Sequence, residues 1–497
     1  MITPAITHPS AAIYLGDCLD VLADLPDASV DSIVTDPPYG LSNTDPAHVV
    51  EALTKWATGD RDFVPTGRGF MGKSWDAFVP PPAVWDECFR VLKPGGHLLA
   101  FAGSRTFDLM TLSIRFAGFD IRDGIAWLYG SGFPKSLDVS KAIDKAAGAT
   151  RETKPWIERH REGVFAGDGG GTTATSGNLQ CPVCLKWKFA PDYCKCPRDN
   201  GAQTPEAAAF QGWGTALKPA FEPIVVARKP FPKGSTVAAN VLAHGTGALN
   251  IDATRVQYQS DSDKASARPQ GAATSHVGAL AGKSQAWTES SSEQTAPSTT
   301  AETTGTSASL TVESAPSVAG TPRTEFSPSQ SDKGRWPTNV VMDGDTADAL
   351  DEQSGTLTSG KMPAGTQKRG KPTGIYGEFK SQPSLNDTHG DSGGASRFFP
   401  TFRYQAKAPT RERPTVVAED GTKTAHPTVK PLALMRWLVR LVTPPGGTVL
   451  EPFAGSGTTI EAAALEGFTS IGIEGDADYL PLIQIRLNRL PSEGASA

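Results

Sequence analysis

Short apolar runs punctuated by turn residues recur at both ends of the chain and fade in its middle. Residues 13–15 and 30–35 read as buried strands, the second closing on Asp36-Pro37-Pro38-Tyr39. Residues 83–92 (AVWDECFRVL) carry apolar positions at helical spacing, and Lys93-Pro94-Gly95-Gly96 ends that helix. A strand over 97–101, a helix over 106–117 and a strand over 120–129 continue the alternation. Beyond Gly130 the rhythm breaks into a Lys-rich helical stretch (135–147), a Gly/Thr-rich loop (167–177) and one further strand at 220–227. It resumes after Gly447 with strand 448–451, helix 458–466, strand 469–474 and helix 477–490. Strands alternating with helices predict a doubly wound, mostly parallel α/β sheet covered on both faces.

Composition divides the chain further. Hydrophobic residues make up 38% of the 497, and 51 Gly with 40 Pro account for much of the shortfall from a wholly globular chain. Residues 261–330 hold 25 Ser or Thr and seven large apolar residues, too few to offset their ordering entropy, so an unstructured insertion is expected there. The expected organisation is 12–130 and 425–490 as two halves of one domain. Between them lie an insertion with a cysteine cluster (131–215), a returning strand (216–256), the low-complexity insertion (257–334) and a basic region (335–424). No apolar run is long enough for a membrane span, the N-terminus lacks the basic region of a signal peptide, and six cysteines do not make a disulfide scaffold. These features predict a soluble, cytoplasmic protein. A net charge of −6 argues against non-specific coating of nucleic acid and leaves room for a local basic cleft.

The two ends carry the chemistry. Gly455-Ser456-Gly457 falls between a predicted strand and a predicted helix, where glycine lets the backbone approach a ligand and the helix N-terminus offers N–H groups. Glu474 ends the next strand, placed to accept hydrogen bonds from ribose hydroxyls. The third glycine of a dinucleotide fingerprint is missing, which disfavours NAD and points to S-adenosylmethionine. At the other end, two prolines after Asp36 remove backbone donors and leave carbonyls able to accept. A carboxylate, the Pro37 carbonyl, Pro38 and the Tyr39 ring suit a planar amine whose two hydrogens are gripped while its nitrogen faces an electrophilic methyl.

On these motifs the chain resembles the amino-methylating DNA methyltransferases, in the phage and bacterial order where DPPY (Asp36–Tyr39) precedes FxGxG (Phe453 to Gly457). Ala425-His-Pro-Thr-Val-Lys430-Pro resembles the family's HPTxKP element near the methionine end of the cofactor, and Gly16-Asp17-Cys18 the element contacting its adenine. The resemblance covers roughly 12–130, 210–255 and 335–490. It implies a circularly permuted, Rossmann-like, S-adenosylmethionine-dependent fold with long central insertions. Asp36, Pro37, Pro38 and Tyr39 would then be catalytic. Asp17, Lys430, Glu451, Phe453, Gly455, Ser456, Gly457, Thr458 and Glu474 would hold the cofactor. Asp rather than Ser at position 36 resembles the adenine-N6 group, with cytosine N4 as the alternative. RNA or a protein amide is a further substrate class, and a non-catalytic DNA-binding protein a further functional class. Double-stranded DNA is the implied partner, and whether a restriction endonuclease accompanies the protein stays open. No cysteine follows a proline, so the covalent route to carbon 5 of cytosine is not expected.

Three motifs compete for attention. Gly67 to Ser74 fits the P-loop pattern literally, but Pro80-Pro81-Pro82 forbids the helix a P-loop needs, and Arg68, Phe70, Lys73 and Trp75 read instead as a basic, aromatic loop by the substrate. Nine Lys or Arg between 397 and 440, interleaved with Phe398, Phe399, Phe402 and Tyr404, suggest a nucleic-acid groove. Cys181, Cys184, Cys194 and Cys196 lie within 16 residues and suit one structural zinc, with no ligand position kept for water. Metal analysis of the purified protein is expected to find about one zinc per chain. A metal-free protein of normal stability with four titratable thiols there removes this reading.

Overall fold

Residues 30–35 are buried along their whole length, and consecutive side chains enter opposite cores: Ile33 joins Trp85 and Met110 on one face, Val34 joins Leu438 and Val449 on the other. The same alternation runs through Leu98 and Leu99 and through Val225 and Val226, the period-2 signature of strands buried on both sides. The structure is a computed structural model. It describes residues 2–41, 45–67, 76–130, 132, 136–151, 153–155, 197–199, 201–266, 333–359, 391–402, 412–417 and 421–490. The P-loop-like stretch 68–75, the four clustered cysteines and most of the Ser/Thr-rich insertion lie outside them.

Ten strands form the main sheet: β1 (Ile6–His8), β2 (Ala11–Leu15), β3 (Val30–Thr35), β4 (Leu92–Phe101), β5 (Asp120–Leu128), β6 (Phe221–Arg228), β7 (Val340–Asp343), β8 (Thr401–Phe402), β9 (Thr448–Glu451) and β10 (Thr469–Glu474). Their order is β1-β2-β10-β9-β3-β4-β6-β5-β7-β8. From β2 to β4 all pairings are parallel, and β6 runs antiparallel between β4 and β5. Helices α1 (Cys18–Asp24), α2 (Pro82–Val91) and α3 (Phe107–Phe116) bury Leu22, Trp85 and Ile114 against one face. On the other, α4 (Leu432–Val442) buries Leu434 and Leu438, and α5 (Thr458–Leu465) buries Ala462 and Ala463. A third cluster joins Ile13 and Ile460 to Ile483 and Leu487 of α6 (Leu480–Leu487). This is the Rossmann-like, doubly wound arrangement, with the early strand β3 lying beside the late strand β9.

Boundaries moved where proline and packing acted. The last helix starts at Leu480, three residues later than expected, because Pro481 is tolerated only in a first turn. β4 starts at Leu92, with Lys93 reaching the buried Asp31 at 2.6 Å, so the Pro-Gly-Gly step lies inside the strand. Helices Pro46–Thr58 and α4 were not anticipated. Among the described residues no helix is long and apolar enough to cross a membrane.

The chain divides into two compact units, residues 1–130 with 221–497, and residues 131–220. In the smaller unit, Asp144 is 1% exposed and accepts from the Gln203 and Thr204 amides at 3.0 Å and from Arg151 Nε at 2.6 Å, tying helix Val139–Ala146 to the segment before Pro205–Ala209. Strands Thr153–Pro155 and Pro197–Asp199 pair antiparallel and bracket residues 156–196.

Two expectations are corrected in the larger unit. The stretch read as unstructured from 261 begins with a helix, Asp261–Ser266, because Asp263 takes a bidentate pair of 2.6 Å bonds from Arg335 and Arg397 stands 3.2 Å away. The basic run 397–440 is not a uniformly exposed basic face: Arg397 pairs with Asp263, Lys430 with Asp36, and Arg436 and Arg440 with Glu466. Phe402, read as part of that groove, packs against Trp127 and Trp437 instead. Residues 403–411 lie outside the described residues.

The neck of the low-complexity insertion is therefore closed by the fold itself. Val256 and Arg335 exchange both backbone hydrogen bonds at 3.0 and 2.8 Å, and Lys333 reaches Asp252 at 2.8 Å. Replacing residues 267–332 by a Gly/Ser linker of about ten residues is expected to shift Tm by no more than about 2–4 °C, since loop closure depends only weakly on length. Thermal unfolding of the shortened chain checks this, and loss of the cooperative transition overturns it.

Candidate active site

β9 and β3 pair in parallel through Val449–Ser32 and Leu450–Ile33, and their crossovers depart to opposite sides of the sheet. That divergence opens a crevice at their carboxyl ends, the place where such sheets bind ligands. Asp36 leaves the end of β3, and the glycine turn leaves the end of β9. A buried carboxylate ties them. Glu451, 2% exposed, accepts from the Thr35 hydroxyl, 416 residues away in sequence, from the Thr459 hydroxyl at 2.6 Å and from the Phe453 amide at 3.1 Å. Glu451, expected as a cofactor contact, braces the two strand ends through these bonds. Burial pushes its pKa up to about 8 in spite of those three donors.

The turn needs its glycines. Gly455 and Gly457 have φ of 53° and 79°, where L side chains are strained. A Cβ on Gly455 would lie 2.9 Å from His426 Nε2, and one on Gly457 3.1 Å from Ile483. Helix α5 follows with no side-chain cap on its N-terminal N–H groups, which leaves them available to a ligand. Ser456 and Thr458 are buried with hydroxyls 3.4 Å apart, and Phe453 packs edge-on to Trp85. Glu474 accepts from the Gly455 and Asp476 amides at 2.6 and 2.8 Å, and burial pushes it up to about 7. Its carbonyl takes the Gly16 amide at 3.0 Å, which brings Asp17 to the same rim. Asp17 is exposed and caps α1 through the Leu19 amide at 2.8 Å.

The Asp36 carboxylate does not stand alone. Lys430 Nζ lies 2.8 and 2.7 Å from the two oxygens of Asp36 and 3.3 Å from Glu222, with its charge over the rings of Phe101 and Tyr39. The resemblance implied the methionine end of a cofactor for Lys430, and the structure puts its ammonium on Asp36. Burial lowers the lysine's pKa, but Asp36 and Glu222 outweigh it and bring it up to about 12. The Tyr39 hydroxyl donates to Asp36 at 2.7 Å and stands 3.4 Å from Glu222, and burial with the two acids raises it well above its usual range. Asp76, 4% exposed, accepts the Tyr39 and Gly40 amides at 2.8 and 3.0 Å, and the Thr106 hydroxyl donates to the Tyr39 carbonyl at 2.6 Å. The peptide after Pro38 is thereby fixed from both sides.

Glu222 and Asp76 were missed from sequence. Glu222 is the second residue of the strand FEPIVVAR, ahead of the apolar run 224–227, and an acid at such a position was the available signal. Asp76 follows the misleading P-loop-like run and carried none. Among the described residues no group of three or more His, Cys, Asp or Glu is arranged to hold a metal.

Fold and site together define a Rossmann-like α/β protein whose crevice joins a glycine turn to a proline-flanked carboxylate. The family model for DNA methylases (N6_N4_Mtase) matches residues 30–485, and the chain belongs to that family. It is 25% identical over 255 residues to the type II methyltransferase M.HindIII of Haemophilus influenzae, covering 48% of this chain and 64% of that one. Over 74 residues it is 40% identical to the type II methyltransferase M.ScaI of Streptomyces caespitosus, covering 15% and 23%. The chain thus matches less than two thirds of the length of these relatives. Among solved structures, the PvuII DNA methyltransferase (cytosine-N4-specific) aligns over 100% of this chain and 91% of its own at 12% identity and a TM-score of 0.37.

Two raised carboxyls have a consequence for stability. Glu451 and Glu474 titrate near 8 and 7 when folded and near 4.5 when unfolded. Between those values the folded state holds more protons, so stability conferred by the protonated groups is lost as pH rises. The protein is expected to lose stability from pH 6.5 to pH 8, above the range in which the buried His97 and His426, both held below the usual histidine value, act in the opposite sense, and Glu451→Gln to flatten the dependence. Chemical denaturation at fixed pH values measures this, and a wild-type curve that rises over the interval contradicts it.

Proposed function

We propose that the protein transfers a methyl group from S-adenosylmethionine to the N6 amine of adenine in double-stranded DNA, with the base flipped out of the duplex. The observation that carries this reading is the juxtaposition of Asp36, at the end of β3, with the glycine turn at the end of β9. Family membership supports methyl transfer to DNA, and Asp at position 36 supports adenine. The bound cofactor supplies a sulfonium-activated methyl. Glu474 suits the ribose hydroxyls, Asp17 the adenine, the α5 N-terminus the carboxylate, and Gly455 and Gly457 the close approach. This set fits because the turn has no room for side chains.

An exocyclic amine is a weak nucleophile because its lone pair is conjugated with the ring. Asp36 and the Pro37 carbonyl each accept one of its hydrogens and favour a pyramidal nitrogen aimed at the methyl. That nitrogen would take the methyl from a cofactor held there, the carbon–sulfur bonding pair staying on a neutral thioether, and the amine proton held by Asp36 would pass through that carboxylate to water. No strong base is needed, because proton loss can follow transfer. Tyr39 contributes a ring face to the base, while its hydroxyl holds Asp36 in place. The N4 amine of cytosine presents the same two hydrogens, and the assay below separates the two bases. The type II relatives support a role beside a restriction endonuclease inside a bacterial or phage-infected cell.

Two substitutions divide the site. Asp36→Ala is expected to cut single-turnover methylation of a cognate duplex roughly a hundred- to a thousand-fold, the scale of losing one preorganised polar group, while leaving cofactor affinity within about twofold. Glu474→Ala is expected to weaken cofactor binding by about 1–3 kcal/mol, read by calorimetry. Sequencing of methylated bases identifies adenine or cytosine. Wild-type turnover by Asp36→Ala overturns the reading at its centre.

A further inference from the structure

Resting on that reading, the geometry points to a further role: Glu222 is the acceptor onto which the Lys430 ammonium shifts when the target amine engages Asp36, and so a positioning residue for methyl transfer. In the structure both Asp36 oxygens are occupied by Lys430, at 2.8 and 2.7 Å, and one also holds the Tyr39 hydroxyl. Of the roughly four lone-pair sites of a carboxylate, Lys430 and the Tyr39 hydroxyl take three, and the ammonium polarises what remains, so the amine is gripped best when Lys430 loosens its hold. A buried ammonium cannot leave for water, so it needs a second acceptor within reach.

Glu222 Oε2 is that acceptor, 3.3 Å from Nζ, and a movement of under an ångström turns the approach into a full charge-assisted bond. Its backbone is held still: Glu222 pairs with Trp127 in the ladder between β6 and β5, and the neighbouring Pro223 carbonyl takes the Ala102 amide at 2.9 Å. The Tyr39 hydroxyl sits between the two acids, 2.7 Å from Asp36 and 3.4 Å from Glu222, and stays bonded through the exchange.

The titratable groups facing Lys430 are Asp36 and Tyr39 after β3, Glu222 on β6, Tyr129 at the end of β5 and His426 on its own segment. Of these, Asp36 and Glu222 supply the negative charge that keeps the ammonium protonated. Removing Glu222 lowers the lysine's proton affinity and moves the alkaline limb of the rate profile to lower pH. Any acid this close to the ammonium moves that limb, so the exchange itself is read from the rate cycle with Met at 430.

The test is single-turnover methylation from pH 6 to 11 by the full chain and its Glu222→Gln, Glu222→Asp, Lys430→Met and Glu222→Gln/Lys430→Met variants, with cofactor affinity from calorimetry. Glu222→Gln is expected to slow transfer about tenfold or more with cofactor affinity within about twofold, and to show the shifted limb. Glu222→Asp is expected to recover most of the rate. In the Lys430→Met background the Glu222→Gln cost is expected to vanish, since the group it relieves is gone. A wild-type rate for Glu222→Gln, or the same fold loss with Met at 430, overturns the proposal. Should Glu222→Gln not fold, Glu222→Ala takes its place in the same cycle: a rate loss that vanishes with Met at 430 supports the exchange, and an equal loss in both backgrounds, or none in either, overturns it. A wild-type protein that methylates no DNA overturns the parent reading instead.

Discussion

Everything at the site depends on a short parallel ladder between strands from opposite ends of the chain. Val449 faces Ser32 and Leu450 faces Ile33, and beyond them the Thr35 hydroxyl reaches Glu451. Parallel pairing sets both carboxyl ends on one side of the sheet, so the glycine turn and Asp36 emerge together. Had β9 run antiparallel, its turn would lie at the far edge. The buried Glu451 adds what backbone pairing cannot, because it fixes the first residue before Asp36 and the first turn of α5 through one side chain.

The two arms of the site differ in how they are held. The glycine turn is shaped by backbone conformation and by close neighbours such as His426 and Ile483. The Asp36 arm is shaped by charge: one ammonium, two carboxylates and a phenol in mutual contact, with Asp76 clamping the peptide that carries them. Substitution in the first arm meets steric strain, whereas substitution in the second redistributes charge through partners that are themselves reactive.

Much of this was legible in the sequence where elements are regular. The strands at 30–35, 448–451 and 469–474 were read with the bounds the structure has, since β-branched residues between turn signals mark each of them. Asp36, Gly455, Gly457 and Glu474 were legible because strand ends and glycine turns have local signatures. What was not legible is long-range. Nothing local announces that Lys430 meets Asp36, or that Glu222 completes the pair, because both contacts are created by the order of strands in the sheet. Nor does the sequence show which of the cations at 397–440 meet carboxylates: Arg397 finds Asp263, and Arg436 and Arg440 find Glu466. Asp263 itself lay in a segment whose composition argued against order, and a buried double ion pair overrode composition there.

The permuted order also governs when the molecule can assemble on the ribosome. β3 is a central strand, buried on both faces, and one of its two neighbours is encoded more than four hundred residues later. At about 5–20 residues per second of synthesis, that edge waits roughly 20–80 seconds for β9 to emerge. During that interval the nascent chain displays an unpaired hydrophobic strand edge, the kind that recruits other strands. Nascent chains stalled before residue 448 thus carry the hazard, and the long polar middle of the chain lengthens the time over which a chaperone has to cover it.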